Sequence, residues 1–338
     1  MSKVQWGVLG AAGIAINRVI PAMQTVSNLT IAGIASRDLT KAQEAASKTG
    51  VEKAYGSYEA LLADPAIEAV YIPLPNHMHI EWCVKALEAG KHVLCEKPIS
   101  MNADEAEVLI AARDKSGKII EEAFAIRNHP QWAALRQVID SGEIGAVRGV
   151  QTVMCYNNRN PNDIRNIAGV GGGALYDIGS YTITGSRMAF GDEPVRAMGL
   201  FEMDPVFGTD RLTSIILEFP AGHATILLST QAGPGTGGSH QHLGLIAERG
   251  WARMDFPYAH SVPSPCHIFI GNDKSIGQKH ARELAFEAVN QYALQGERFS
   301  RLVRGENVPA VPIELAIANM RVLDAVRRSR DSKAFETV

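Results

Sequence analysis

Val4-Gln5-Trp6-Gly7-Val8-Leu9-Gly10-Ala11-Ala12-Gly13-Ile14-Ala15 decides how this chain is read. A short apolar run breaks into small residues and then into Ile14–Thr25, whose apolar positions recur at helical spacing. A strand that turns into a helix through small residues is the context a dinucleotide fingerprint requires. Gly10 permits the tight bend, Ala12 and Gly13 let the backbone approach a pyrophosphate, and Ala15 allows close helix–strand packing. N–H groups of the helix start, from Ile14 on, point at the anion. The string departs from G-x-G-x-x-G by carrying Ala12 at the second glycine, so taken alone it also fits a purely structural turn.

Working outward, further β-type runs at Thr30–Ala35, Ala69–Ile72, His92–Cys95 and Lys118–Glu121 alternate with helical stretches at Lys41–Thr49, Met78–Ala89 and Ala103–Lys115. That alternation predicts βαβ units and a mostly parallel, doubly wound sheet over residues 1–122. After Phe124 the pattern changes. Val147–Met154, Arg196–Met203, Ser214–Phe219, Ala224–Ser229, Gly244–Ala247 and Trp251–Asp255 are strands without a helix between each pair, and Gln131–Ser141 and Gly171–Met188 supply helices. Residues 123–338 therefore read as an α+β domain with an antiparallel sheet. The helical tail Ile313–Arg330 packs on its own domain or back on the first one; periodicity leaves both open.

Composition narrows the class of function. The 338 residues are 46% apolar and 20% charged with a formal net charge of −3, which argues against a disordered tail and a nucleic-acid footprint. No cationic leader or membrane-length apolar span precedes Val4, and the expectation is a cytoplasmic protein with no membrane partner. Cys83, Cys95, Cys155 and Cys266 lack metal-ligand spacing and read as reduced thiols. The glycine-rich Gly233–Gly238 segment reads as a flexible loop that can border the site opening with His240 and His242, although nothing in their spacing demands catalysis.

Loops at the carboxyl ends of the first-domain strands hold the ligand candidates. Ser36-Arg37 follows the second strand, where an NAD-preferring site usually places an acid on the ribose 2′-hydroxyl. The Arg37 guanidinium pairs with a 2′-phosphate and stacks on adenine, and Ser36 donates a further hydrogen bond, so the expectation is NADP. Arg37 also fits a solvated residue opening a helix cap at Asp38, and Asp38 keeps NAD use open. In Pro73-Leu74-Pro75-Asn76-His77-Met78-His79 the prolines fix the path. Asn76 is expected to cap the next helix near the nicotinamide ribose, and Leu74, Pro75, Asn76 and His79 are cofactor-side candidates. His77 and His79 lack a third ligand, so no metal is expected. Cys95-Glu96-Lys97-Pro98 ends the fourth run in a charged pair locked by proline. Glu96 and Lys97 can meet a bound cofactor and its substrate, or the tripeptide merely starts a helix.

Together with Ala89-Gly90-Lys91-His92-Val93-Leu94 before that turn and Gly171-Gly172-Gly173-Ala174-Leu175-Tyr176-Asp177-Ile178-Gly179-Ser180-Tyr181, these segments resemble the glucose–fructose oxidoreductase / inositol dehydrogenase family, also called Gfo/Idh/MocA. The resemblance covers nearly the whole chain. It implies an N-terminal Rossmann domain, a C-terminal domain with a large open antiparallel sheet, and dimers or tetramers formed through that sheet. Tyr181 stands where many members carry histidine, so the chain looks more like the branch with NADP-dependent D-xylose dehydrogenase and dimeric dihydrodiol dehydrogenase.

Asp177 and Tyr181, four apart, share one helix face. Tyrosine ionises well above neutral pH, but a neighbouring ammonium such as Lys97 favours the phenolate. The catalytic set implied is Tyr181 as proton acceptor from a sugar or polyol hydroxyl, Lys97 as charge stabiliser, and Asp177 binding a neighbouring hydroxyl or fixing Lys97. Arg127 lies in a segment that the resemblance brings to the site. Asn157, Asp163 and Asp177 are further substrate-side candidates, and Arg165 can reach the cofactor. The function implied is NADP-dependent hydride transfer, with aldose C1 oxidation to a lactone as its most specific form. Ketosugar or dicarbonyl reduction and trans-dihydrodiol oxidation use the same residues. Transhydrogenation with retained NADP is disfavoured by the absence of an arm before Val4, and a non-catalytic NADP sensor by the joint presence of Lys97 and Tyr181.

Overall fold

The computed structural model describes residues 2–234, 238–258, 264–272 and 280–338. The chain divides into two compact units, Met1–Ala125 with Asn290–Ile317, and Ile126–Val289 with Ala318–Val338. In the first unit, strands β1 (Val4–Leu9), β2 (Leu29–Ala35), β3 (Lys53–Tyr55), β4 (Ala69–Ile72), β5 (His92–Cys95) and β6 (Ile120–Glu122) form a parallel sheet in the order β3-β2-β1-β4-β5-β6. Helices α1 (Ile20–Met23), α2 (Leu39–Thr49), α3 (Tyr58–Ala63), α4 (His79–Glu88) and α5 (Ala103–Ser116) connect the strands. Near-continuous burial along β1 and β4 is what a parallel sheet covered on both faces requires. The strand order reverses between β1 and β4, so the loops after Leu9 and Ile72 flank the crevice where such sheets take ligands.

Two local expectations are corrected. The first helix is not α-helical throughout: Ala15–Val19 is a π-helical turn leading into α1. Asn76 does not cap α4; it opens a 3-10 turn, Asn76–Met78, and α4 begins at His79 with no side-chain cap.

The second unit contains α6 (Pro130–Asp140), α7 (Ser180–Phe190) and a nine-stranded sheet in the order β14-β13-β12-β11-β7-β10-β9-β8-β15. Its strands are β7 (Val147–Cys155), β8 (Arg196–Met203), β9 (Asp210–Phe219), β10 (Gly222–Ser229), β11 (His240–Ala247), β12 (Gly250–Asp255), β13 (Cys266–Asn272), β14 (Arg282–Phe286) and β15 (Glu336–Thr337). The sheet is antiparallel except that β10 runs parallel to β7, so it is mixed. β13, β14 and β15 are not marked by the sequence pattern; β14 and β15 are short or largely exposed edge strands without clean alternation. His240 and His242 lie on β11 with ring centroids 5.6 Å apart; of the glycine loop, residues 235–237 fall outside the described residues.

The boundary expected near residue 122 needs one amendment, because the chain returns to the first unit through α8 (Gln291–Val303). Fully buried Phe299 joins the hydrophobic cluster of β1 and β2, its ring 5.2 Å from that of Trp6, and the Trp6 indole donates to Ser300 Oγ at 3.0 Å. Only one face of α8 is apolar, too weak a signal beside the long tail helix to reveal where it docks. In α9 (Ile313–Ser332), Ile313–Ile317 belong to the first unit, where Glu314 pairs with Arg113, and the remainder to the second, where Asn319 accepts from Arg187 and donates to Ser180 O. No helix among the described residues is long and apolar enough to cross a membrane.

Phe299→Ala is expected to lower unfolding free energy by about 3–5 kcal/mol, measured by urea denaturation; an unchanged midpoint would contradict the docking of α8.

Candidate active site

Gly10 takes φ +123°, a conformation L side chains rarely adopt, and a Cβ there would lie 3.0 Å from Leu74 Cδ2. Gly13 is exposed and meets only Asn17 within 4 Å, so the turn presents open backbone. Ala12 O accepts from Ile16 N at 3.1 Å, which starts the helix and directs its first N–H groups out of the turn. These features suit a pyrophosphate, with Leu74 packed behind the bend rather than exposed to a ligand. Beyond β2, Arg37 is exposed and lies beside the Tyr58 hydroxyl, while half-buried Ser36 accepts from Asp38 N. Asp38 caps α2, accepting from Thr40 N at 2.9 Å and Lys41 N at 3.4 Å, so its carboxylate is engaged with the helix start.

The Glu96-Lys97-Pro98 turn is fastened on several sides. Tyr71 donates to Glu96 Oε1 at 2.6 Å, Lys97 N donates to Glu96 Oε2 at 3.3 Å, and the Lys97–Pro98 peptide is cis. Ile99 N donates to Glu122 Oε1 at 2.8 Å, tying the turn to β6. His79 corrects its expected role at the cofactor. It is fully buried, with Nδ1 2.8 Å from Pro98 O and Nε2 2.7 Å from Leu74 O, and so has no ring nitrogen left for a ligand. Burial pushes its pKa down to about 4 against the opposing pull of the two carbonyls.

In the second unit the glycine run folds around a 3-10 turn, Ile164–Asn166. A Cβ on Gly172 would stand 2.5 Å from Ile167 O and 2.9 Å from Arg165 O, and Gly173, at φ +105°, leaves room for the Asp210 carboxylate. Buried Asp210 accepts from Leu175 N at 2.8 Å and Thr213 Oγ1 at 2.7 Å, holding the start of the helical segment that carries Asp177 and Tyr181. Asp177 sits in a π-helical turn, Leu175–Gly179, immediately before α7, where one extra residue per turn redirects side chains.

Asp177 Oδ2 accepts from the Tyr156 hydroxyl at 2.5 Å and Arg165 Nε at 3.0 Å. Arg165 also reaches Asp163 Oδ1 at 3.2 Å, and Asp163 is itself held by Asn158 and by the backbone N–H of Arg165. Asp177 keeps the Arg165 guanidinium charged, and burial together with Asp177 drives the Tyr156 phenol well up, so Tyr156 is a fixed donor. Arg165, expected at the cofactor, thus spends Nε and Nη1 on two carboxylates of its own unit. Tyr181 is largely buried, its ring 6.2 Å from that of Tyr258, whose hydroxyl pairs with Thr152 Oγ1 at 2.6 Å. Arg127 is half-buried in the 3-10 turn Ala125–Asn128, and Asn157 forms an isolated bridge with Gln231. Tyr156 and Asp210 escaped selection as site residues: the first adjoins Asn157 in sequence, whereas nothing local marks an aspartate distant from the helix it anchors.

Residues 4–124 match the oxidoreductase family with an NAD-binding Rossmann fold, and residues 132–253 match the Gfo/Idh/MocA C-terminal domain. The chain belongs to the Gfo/Idh/MocA family. An oxidoreductase of Rhizobium meliloti is 42% identical over the full length of both chains. The NADP(+) D-xylose 1-dehydrogenase 2 of Haloferax volcanii is 32% identical over 98% of each. The structure of a 3-ketoreductase from Actinomadura kijaniata, in complex with NADP and TDP-benzene, superposes with TM-score 0.87 at 27% identity, over 97% of this chain and 98% of that one. The protein is accordingly a Gfo/Idh/MocA oxidoreductase, and its parallel sheet lies in the part of the chain that matches the family's Rossmann fold.

Burial raises the Asp210 carboxyl from its ordinary value of 3.8 to about 6, which penalises the charged form in the folded state. Between pH 3.8 and about 6 the folded protein therefore holds a proton that the unfolded chain has lost, and stability falls as pH rises through that window. Asp210→Asn is expected to remove about 2–3 kcal/mol of this fall, measured as the difference between wild-type and variant denaturation from pH 4 to 7; parallel curves would contradict it.

Proposed function

We propose that the protein is an NADP-dependent dehydrogenase or reductase of a sugar or polyol, with oxidation of an aldose at C1 to the lactone as its leading form. The observation that carries the reading is the commitment of Asp177. With Arg165 and Tyr156 both on Oδ2, Asp177 holds Tyr156 as a protonated donor, and Tyr181 is the phenol we assign to proton transfer. Tyr181, as the phenolate that the Lys97 ammonium favours, accepts the proton of the reacting hydroxyl and becomes the phenol, while Lys97 orients the oxygen. Asp177 accepts a hydrogen bond from a neighbouring substrate hydroxyl. The chemistry the cofactor supplies is acceptance of the hydride that leaves the same carbon.

NADP is favoured by Arg37 at the end of β2 and by the engagement of Asp38 in its helix cap. The likeness to the Haloferax dehydrogenase supports both the cofactor and a sugar substrate, and that to the Actinomadura reductase supports the cofactor. Ketosugar reduction through the same residues is the second reading, favoured by the fold's match to that ketoreductase. The open face of the nine-stranded sheet aligns exposed Leu200, Ile216, Leu227 and Ile246, and we read it as the surface through which copies form a dimer or tetramer.

A panel of aldoses, polyols and diols, followed by absorbance of the reduced nicotinamide, should give turnover of aldoses with NADP+ and weaker turnover with NAD+. Arg37→Ala is expected to reduce the NADP+ preference by roughly tenfold or more. Equal efficiency with both cofactors, or a preference unmoved by that substitution, would overturn the assignment.

A further inference from the structure

His79 stands between the loops that carry the proposed chemistry without serving as a ligand-facing group itself. Its two ring nitrogens face backbone oxygens on opposite edges: Pro98, directly after Lys97, and Leu74, in the loop after β4. The Leu74 side chain in turn occupies the space beside Gly10 in the turn after β1. A single buried ring therefore links the Lys97 turn to the Leu74 loop, and through Leu74 to the glycine turn. Carbonyl oxygens only accept, and the neutral ring carries one N–H, so one of the two contacts is a donated hydrogen bond and the tautomer sets which loop receives it. Imidazole suits the place because its two nitrogens diverge in a rigid plane, so that either tautomer presents its one N–H to a carbonyl, whereas a phenyl ring offers no donor.

We propose that His79 is a positioning residue for Lys97, fixing the Lys97-Pro98 backbone to the Leu74 loop so that the ammonium keeps one direction. This rests on the reading of Lys97 as the cation of the proton-transfer set. Glutamates fix the amides around Pro98, and His79 meets the carbonyl between them. Pro98 has no N–H of its own, and Lys97 N and Ile99 N are held by glutamates on either side of it. Among the described contacts, the Pro98 carbonyl meets the His79 ring.

The test uses His79→Phe, which keeps the volume and loses the N–H donor, and His79→Gln, which restores a donor. In the cofactor-free protein, amide hydrogen exchange at Lys97 and Ile99 should speed up about tenfold or more in His79→Phe, with exchange in β1 and β4 unchanged. With the best substrate, kcat should fall about tenfold or more while KM for NADP+ stays within about threefold, and His79→Gln should recover part of the loss. Unchanged exchange at Lys97 and Ile99, or loss of kcat only in step with NADP+ affinity and global stability, would overturn the proposal. Failure of the wild-type protein to turn over any sugar would instead count against the proposed function, and the exchange result would still decide the role of His79.

Discussion

A parallel sheet leaves polar backbone groups at its carboxyl edge that the ladder cannot satisfy, and in this protein neighbouring loops satisfy them in an interlocked way. Gly10 N donates to Ala35 O, Glu96 N to Ile72 O and Ala123 N to Cys95 O, so each strand's exit is hydrogen-bonded to an adjacent strand. Side chains complete the pattern: Glu96 takes Tyr71 and Lys97 N, Glu122 takes Ile99 N, and His79 meets Leu74 O and Pro98 O. The turn that carries Lys97 is consequently part of the sheet's own bonding. A flexible lysine stem gains a fixed root, which suits the charge-stabilising role proposed for Lys97.

The second unit meets the same problem with carboxylates. A helix start leaves N–H groups without intrahelical partners, and Asp210, brought from β9, accepts one of them at Leu175. Gly173 has to be glycine because a side chain there would occupy the position of that carboxylate. Asp177 then gathers Tyr156 and Arg165 on a single oxygen. Charge-assisted hydrogen bonds offset the desolvation of Arg165, and Asp177 helps keep Arg165 charged and Tyr156 protonated, whereas burial outweighs the hydrogen bonds of Asp210. Two helices, α1 and α7, are each preceded by a π-helical turn, Ala15–Val19 and Leu175–Gly179, a form often found at functional sites.

Much of this was legible in the sequence, for identifiable reasons. The glycine turn, the βαβ alternation and the Glu96-Lys97-Pro98 turn are local signals, because tight bends and strand exits restrict residue type within a few positions. Asp38 as a helix cap is likewise a local matter. What escaped depends on partners far apart in the chain. The return of α8 to Trp6, the parallel pairing of β10 with β7 and the anchoring of Leu175 by Asp210 are choices made by tertiary packing, which periodicity does not encode. His79 shows the limit most clearly: its place beside the site was readable, but whether its ring faces a ligand or two carbonyls depends on how separate loops converge.

Proton transfer by Tyr181, with Tyr156 only holding Asp177, is distinguished from the reverse by comparing Tyr181→Phe with Tyr156→Phe in steady-state kinetics on the best substrate. Tyr181→Phe is expected to lower kcat by about a hundredfold or more with little change in NADP+ affinity, and Tyr156→Phe to cost clearly less. A Tyr181→Phe enzyme within a few-fold of wild type, or one less impaired than Tyr156→Phe, would contradict proton transfer by Tyr181.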